Sequence, residues 1–195
     1  MLPSHQARFA PFHYGHTYGG RVDFSIYYDL AMFMHREVDL RKHGEVFIHG
    51  NWNGSLFSVG SIGRNLQYMV FGHDGKEYTV AHFHGLWTGQ GKKDTPERIE
   101  QSRKVRRFLD QNKEPKILCG DFNLLPDTES VRILEEGGLV NLIKTHGITS
   151  TRSRLYQKPE KFADYTLVSP EVVVERFEVP EFVVSDHLPM VLEYH

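Results

Sequence analysis

Cysteine is nearly absent from this chain of 195 residues: Cys119 stands alone. One thiol cannot build an intrachain disulfide framework or a cysteine-rich zinc site, and it fits a reducing compartment, so a cytoplasmic setting is expected. An excess of one charge is missing too. Lys and Arg number 23 against 25 Asp and Glu, a formal net charge of −2. No global polycation is therefore available to coat nucleic acid, although local basic patches are not excluded. No uninterrupted apolar stretch reaches the roughly 18 residues that suggest a membrane span. Met1-Leu2-Pro3-Ser4-His5 lacks the basic start and apolar run of a secretory signal. Internal repeats and low-complexity tracts are absent as well. What the chain does hold is 39% hydrophobic and 12% aromatic residues, enough for a core, and 12 histidines that can serve as metal ligands and proton carriers.

The length suits one domain. Residues 1–21 are rich in His, Gly, Pro and Tyr without periodicity and read as a loop-like N-terminal segment, ahead of a single domain over 22–195. Val22 to Arg36 is ambiguous, and Leu30 to Met34 fits strand or helix. Glu45 to His49 alternates as a short strand. Leu66 to Phe71 and Glu77 to Phe83 flank His73-Asp74-Gly75-Lys76, and an Asp-Gly turn between two alternating runs predicts a hairpin. Thr95-Pro96 opens a helix with Ile99, Val105, Phe108 and Leu109 on its inner side. Lys116 to Gly120 reads as a buried strand, and Glu129 to Glu136 as a second helix closed by Gly137-Gly138. Further strands are expected at Tyr165 to Val168, Val172 to Val179, Phe182 to Val184 and Met190 to Tyr194. Hairpins with two intervening helices indicate a mixed α/β domain in which sheet dominates.

Chemistry gathers where these strands end. Asp121 and Asn123, in Gly120-Asp121-Phe122-Asn123, share one face of an extended chain and can meet one ligand while Phe122 turns inward; an Asx-type turn also accounts for them. Asp164 opens the strand Asp164-Tyr165-Thr166-Leu167-Val168, as a ligand or as a cap. Asp186 and His187 are adjacent and face opposite ways, so each needs its own partner, the carboxylate a cation and the imidazole another carboxylate, for which Asp164 is the candidate; a turn before an edge strand also accounts for the pair. His82 and His84 share a side at the end of their strand; such a pair can ligate zinc, one of them can touch a phosphate, or both are plain surface residues. Together these strand ends put carboxylates, an amide and an imidazole on one rim. Oxygen donors of that kind suit Mg²⁺ or Mn²⁺ rather than zinc, and a hard cation beside an activated water is equipment for phosphoester hydrolysis.

The runs His82-Phe83-His84-Gly85, Gly120-Asp121-Phe122-Asn123, Ala163-Asp164-Tyr165-Thr166-Leu167-Val168-Ser169 and Ser185-Asp186-His187-Leu188-Pro189, in this order, resemble the endonuclease/exonuclease/phosphatase superfamily of deoxyribonuclease-like enzymes. The resemblance implies an α/β (α+β) domain built as a four-layer α/β/β/α sandwich with its site at the rim between two sheets. It also implies a Mg²⁺- or Mn²⁺-dependent phosphodiesterase or phosphatase. Carried over, Asp121 orients and deprotonates the attacking water, and Asn123 hydrogen-bonds the phosphoryl oxygens or that water. Asp186 serves the metal, while His187, oriented by Asp164, stabilises the phosphorane or protonates the leaving oxygen. His84 corresponds to a second phosphate-facing histidine. Arg152 and Arg154, in a Thr-Arg-Ser-Arg run, can hold a phosphate or simply solvate a loop.

The family pattern also includes an early strand ending in a metal-site Asn and another ending in Gln-Glu, whose Glu is the main metal ligand. Met1 to Gly20 holds no Asn and no such strand. Glu37 sits in a run that only superficially matches the Gln-Glu form. The expectation is a family domain lacking its N-terminal quarter, with a weakened metal site and exposed sheet edges through which a homodimer can form. A non-catalytic remnant or binding module with the same fold is the alternative, and a zinc hydrolase is disfavoured because His82 and His84 lack companions. The substrate class stays open among nucleic acid, inositol phosphate and phospholipid headgroup.

Overall fold

Turn and cap chemistry act where the sequence placed them. The computed structural model describes residues 3–17, 21–51 and 63–195. Chain order runs β1 (His5–Thr17), β2 (Arg21–His35), β3 (Asp39–His49), β4 (Arg64–His73), β5 (Lys76–Phe83), α1 (Pro96–Asp110), β6 (Lys116–Asp121), α2 (Glu129–Glu135), β7 (Val140–Asn141), α3 (Leu142–Thr145), β8 (Asp164–Val168), β9 (Val174–Glu178) and β10 (Val191–Tyr194). Asp74 and Gly75 take φ of 48° and 76°, the two positive values that a type I′ hairpin turn demands, and β4 pairs with β5 from His73↔Lys76 to Leu66↔Phe83. Thr95 caps α1 by accepting from the Arg98 N–H at 3.3 Å, with proline just inside the helix.

One sheet has strand order β3-β4-β5-β6-β8-β7; β5 and β6 are parallel and every other pair is antiparallel. Alternation sorts its two faces. Leu66, Ala81, Phe83, Leu118 and Leu167 join Val105 and Leu109 of α1 and Val131 and Leu134 of α2 in one core. On the other face, Asn65 and Gln67 of β4 donate to the backbone carbonyls of Ala10 and Arg8 at 3.1 and 3.0 Å, which seats the β1–β2 hairpin on the sheet. Tyr78 of β5 meets Tyr194 of β10 edge-on with ring centroids 5.4 Å apart, which seats the β9–β10 hairpin. Helices thus cover one face of the sheet and hairpins the other: a mixed α/β sandwich.

Four expectations need correction. Residues 5–17, read as loop, form β1, because β2 supplies a partner from His5↔His35 to Thr17↔Arg21. The Pro and Gly that argued for a loop fall at its two irregularities, between Pro11 and His13 and between Gly15 and Thr17. Phe182 to Val184 is not a strand: Pro180 opens successive tight bends, with Phe182 N–H donating to Pro180 O and Val184 N–H to Phe182 O. Phe182 and Val184 are left 68% and 83% exposed. On α1, Val105 and Leu109 are buried as expected, but Ile99 and Phe108 are only partly so, and Arg98, Gln101 and Ser102 take the remaining inner positions. The homodimer through a sheet edge finds no support. The outer strand β3 carries Asp39, Arg41, Lys42 and Glu45, charges that discourage pairing with another strand. Among the described residues no helix is long and apolar enough to cross a membrane.

Two glycines let the rim segments touch. A Cβ on Gly85 would lie 2.1 Å from Phe122 O, and one on Gly120, whose φ is 130°, would lie 2.2 Å from Phe83 O. Beneath them Phe83 stacks on Phe122 at 4.4 Å and Phe122 packs on Tyr165 at 5.1 Å. Gly120→Ala therefore loses at least about 1–3 kcal/mol of stability, measured by urea unfolding; an unchanged midpoint contradicts this packing.

Candidate active site

Strand register creates the site. Asp121, the last residue of β6, is the cross-strand partner of Asp164, the first of β8. Two carboxylates placed opposite one another repel unless a positive group or a proton intervenes. His187 supplies the first answer: its Nδ1 lies 2.8 and 2.9 Å from the two Asp164 oxygens, and its Nε2 lies 3.7 Å from Asp121 Oδ2. Among the described residues, Asp121, Asp164 and His187 form the grouping whose candidate donor atoms all lie within 4.8 Å of one another.

Arg152 supplies the second. Residues 151–153 are stitched to 186–188 by the bridge Arg152↔His187, by Ser153 N–H to Asp186 O at 3.1 Å and by Leu188 N–H to Thr151 O at 2.9 Å. The Thr151 hydroxyl accepts from the backbone N–H groups of Ala163 and Asp164, tying the same segment to β8. Arg152 thereby delivers a side chain only 7% exposed into the rim. Its Nη1 donates to Asp186 Oδ2 at 2.9 Å and to His187 Nε2 at 2.5 Å, and its Nη2 lies 3.9 Å from Asp121 Oδ2. The Arg152 contact needs a bare Nε2 with Nδ1–H toward Asp164; a protonated ring keeps the Asp164 bond, offers Nε2–H toward Asp121 and gives up the Arg152 contact.

The other sequence candidates fall around this centre. Asn123 does not project beside Asp121. With φ of 54°, its backbone N–H donates to Asp121 Oδ1 at 2.8 Å, while its buried side-chain amide donates to Gly85 O at 3.1 Å. His84 reaches the edge, its Nε2 3.8 Å from Asp121 Oδ2. His82 instead faces Gln67 Oε1 at 2.8 Å. Arg154 is exposed on the same loop, outside the cluster. Glu37 lies on an exposed turn, 3.5 Å from His35.

Two contributors carry no sequence signal. Lys92, 2% exposed, donates to Phe162 O at 2.9 Å, and Tyr156 receives the Arg152 guanidinium 4.4 Å and the Lys92 ammonium 5.1 Å from its ring centroid. Their positions depend on loops. Arg98, 1% exposed, shapes the first of these by donating from all three guanidine nitrogens to the carbonyls of Leu86, Gly91 and Lys93.

These contacts set the protonation states. Burial works against a charge on His187, but the Asp164 hydrogen bond and charge, with Asp121, outweigh it and the opposing Arg152, so its pKa is raised. Loss of solvent around His84, together with Arg64, lowers that imidazole and keeps it neutral at neutral pH. Burial pushes the His82 imidazole down to about 4 and the Cys119 thiol up to about 11, which removes Cys119 as a nucleophile.

The donor set fits a hard cation of modest demand. Asp164 is committed to His187 through both oxygens, whereas among the described residues Asp121 Oδ2 and the Asp186 carboxylate meet only cations and imidazole. One or two carboxylates, with waters and substrate oxygens completing the shell, is the usual provision for Mg²⁺.

A mixed α/β sandwich with acidic, imidazole and guanidinium groups converging on a sheet rim defines the structural class. Within it, the chain belongs to the endonuclease/exonuclease/phosphatase family, whose sequence pattern matches residues 3–187. Solved structures share the fold. The mannosyl-6-phosphatase of Bacteroides thetaiotaomicron superposes with a TM-score of 0.76 at 18% identity, over 100% of this chain and 78% of that one. The human Nocturnin catalytic domain, solved with bound sulfate, gives 0.65 at 19% identity over 98% and 73%. A humanized D. rerio TDP2 gives 0.61 at 14% identity over 100% and 77%. No curated protein matches the sequence.

Because the folded pKa of His187 is raised, its pairing with Asp164 stabilises the fold fully below the unfolded value of about 6.5 and loses that contribution as pH rises through the folded value. The stability gap between the native protein and Asp164→Asn therefore narrows with rising pH, as measured by urea unfolding from about pH 5.5 to 8. A gap that widens contradicts the assignment.

Proposed function

We propose that the protein is a divalent-cation-dependent hydrolase of phosphoester bonds. The observation that carries this reading is the convergence of Asp121, Asp164-oriented His187 and Arg152 within hydrogen-bonding or ion-pairing reach of one another at the rim. Such a set divides the labour of phosphoryl transfer to water. Asp121 has one oxygen fixed by the Asn123 N–H, leaving Oδ2 to orient a water and take its proton. His187, held by Asp164 and inclined toward protonation, stabilises the phosphorane and protonates the leaving oxygen. Arg152 offers a planar fork to the phosphoryl oxygens, and neutral His84 adds a hydrogen bond at the edge. Asn123 acts through Asp121 and Gly85 rather than on the substrate. Asp186 is the residue that would hold Mg²⁺ or Mn²⁺, which when bound would neutralise phosphoryl charge and acidify water.

Exposed Arg154, next to the site loop, suits the non-reacting part of a phosphorylated substrate. Nucleic acid, inositol phosphate and phospholipid headgroup all present the required group, and the balanced net charge gives no preference for a polyanion. One observation favours a second reading, a binding module without turnover: Arg152 already neutralises Asp186, so the fold does not need a cation there.

Chromogenic phosphomonoester and phosphodiester substrates separate the two. Hydrolysis that requires Mg²⁺ or Mn²⁺, stops on chelation and falls about 10²-fold or more in Asp121→Asn supports the hydrolase. Activity that survives in Asp121→Asn sinks the role given to that carboxylate, and no hydrolysis with either cation favours the binding module.

A further inference from the structure

Among the described residues, two of the arginines with buried side chains, Arg98 and Arg152, are held in opposite ways. Arg98 has every guanidine nitrogen on a backbone carbonyl, the arrangement of a side chain that never leaves. Arg152 is 7% exposed, yet among the described residues only its Nη1 makes hydrogen bonds: Nη2 stands 3.9 Å from Asp121, and Nε is buried without a partner there. A buried N–H left bare is costly, so the resting position of Arg152 is not the one that satisfies its fork. Nor is it the best position for its neighbours. Its Nη1 covers the lone pair of His187 Nε2 and one oxygen of Asp186, the atoms the hydrolase reading needs free. Tyr156 stacks on the guanidinium at 4.4 Å, a contact without directional hydrogen bonds that holds the group in the site while leaving it free to turn.

We propose that Arg152 is a movable counter-cation that couples the two ligands of the site: it neutralises Asp186 and Asp121 at rest, is released from them when a divalent cation binds, and then presents its unsatisfied fork to a phosphoryl group. This rests on the hydrolase reading and deepens it, because Arg152 becomes the residue that makes cation and phosphate binding depend on each other. Linkage fixes the sign. If the cation frees Arg152 for phosphate, phosphate must strengthen cation binding by the same factor. Arg152 also opposes the cation when phosphate is absent, since the two compete for the same carboxylates.

The test is calorimetric titration of the full chain with Mg²⁺ alone, with inorganic phosphate alone, and with each in the presence of the other. It compares the native protein with Arg152→Met, which keeps the aliphatic stem and removes the charge. The expected result is Mg²⁺ binding at least about fivefold tighter in Arg152→Met without phosphate, and a cation–phosphate coupling of about fivefold or more that shrinks in the variant. Arg152→Lys, which keeps the charge but not the fork, retains weak Mg²⁺ binding and loses coupling; it serves if the methionine variant does not fold. Mg²⁺ binding that is unchanged or weaker in Arg152→Met, coupling equal in native protein and variants, or no Mg²⁺ binding in any of them overturns the proposal. These readouts do not involve turnover. Coupled binding without hydrolysis rejects the hydrolase reading alone, and hydrolysis with uncoupled binding rejects this one alone.

Discussion

Everything at the rim depends on the pairing of β6 with β8, which sets Asp121 opposite Asp164. Two carboxylates on facing register positions cannot both be charged and unaccompanied. The surrounding fold is arranged to supply company: a histidine bonded to one of them, an arginine threaded between segments 151–153 and 186–188, and a buried lysine nearby. Removing any of these leaves a charge in a partly desolvated place, so stability and chemistry at this site share the same contacts. The aromatic stack of Phe83, Phe122 and Tyr165 lies under the rim, and the closeness of Gly85 and Gly120 to their neighbours lets the segments meet over it.

The charges sort into fixed and adjustable ones. Arg98 is fully satisfied and shapes the 86–93 loop that carries Lys92 to the site. Arg152 is partly satisfied, stacked rather than pinned, and faces the groups that do the work. Burial keeps His82 neutral, loss of solvent at the crowded rim with the cations Arg64 and Arg152 holds His84 down, and His187 is drawn toward protonation by its carboxylates. In the proposed reaction a single histidine out of 12 therefore carries the proton chemistry, and carboxylates rather than imidazoles would hold the cation.

What the sequence made legible follows from the range of each interaction. The Asp74-Gly75 turn and the Thr95 cap are local, and their residues announce them. Asp121 and Asp164 are legible because each sits at the rim end of its strand, β6 and β8, whereas His187 follows bends and is legible only from its Ser-Asp-His run. Local pattern misleads where a distant partner decides. β1 exists because β2 pairs with it across Pro11 and Gly15, residues that by themselves argue for loop. Phe182 and Val184 look like strand but are bent by Pro180. Spacing placed Asn123 on the face of Asp121, yet its left-handed φ turns the amide back to Gly85. Lys92 and Tyr156 reach the site by folded loops, and a loop leaves no periodicity to read.

The central claim of the proposed reaction is that water attacks phosphorus rather than the carbon of the released alcohol. Turnover of a phosphoester in ¹⁸O-enriched water, with mass analysis of both products, tests it most directly. The account predicts one labelled oxygen in the phosphoryl product and none in the released alcohol; label in the alcohol, or no turnover with Mg²⁺ or Mn²⁺ present, contradicts it.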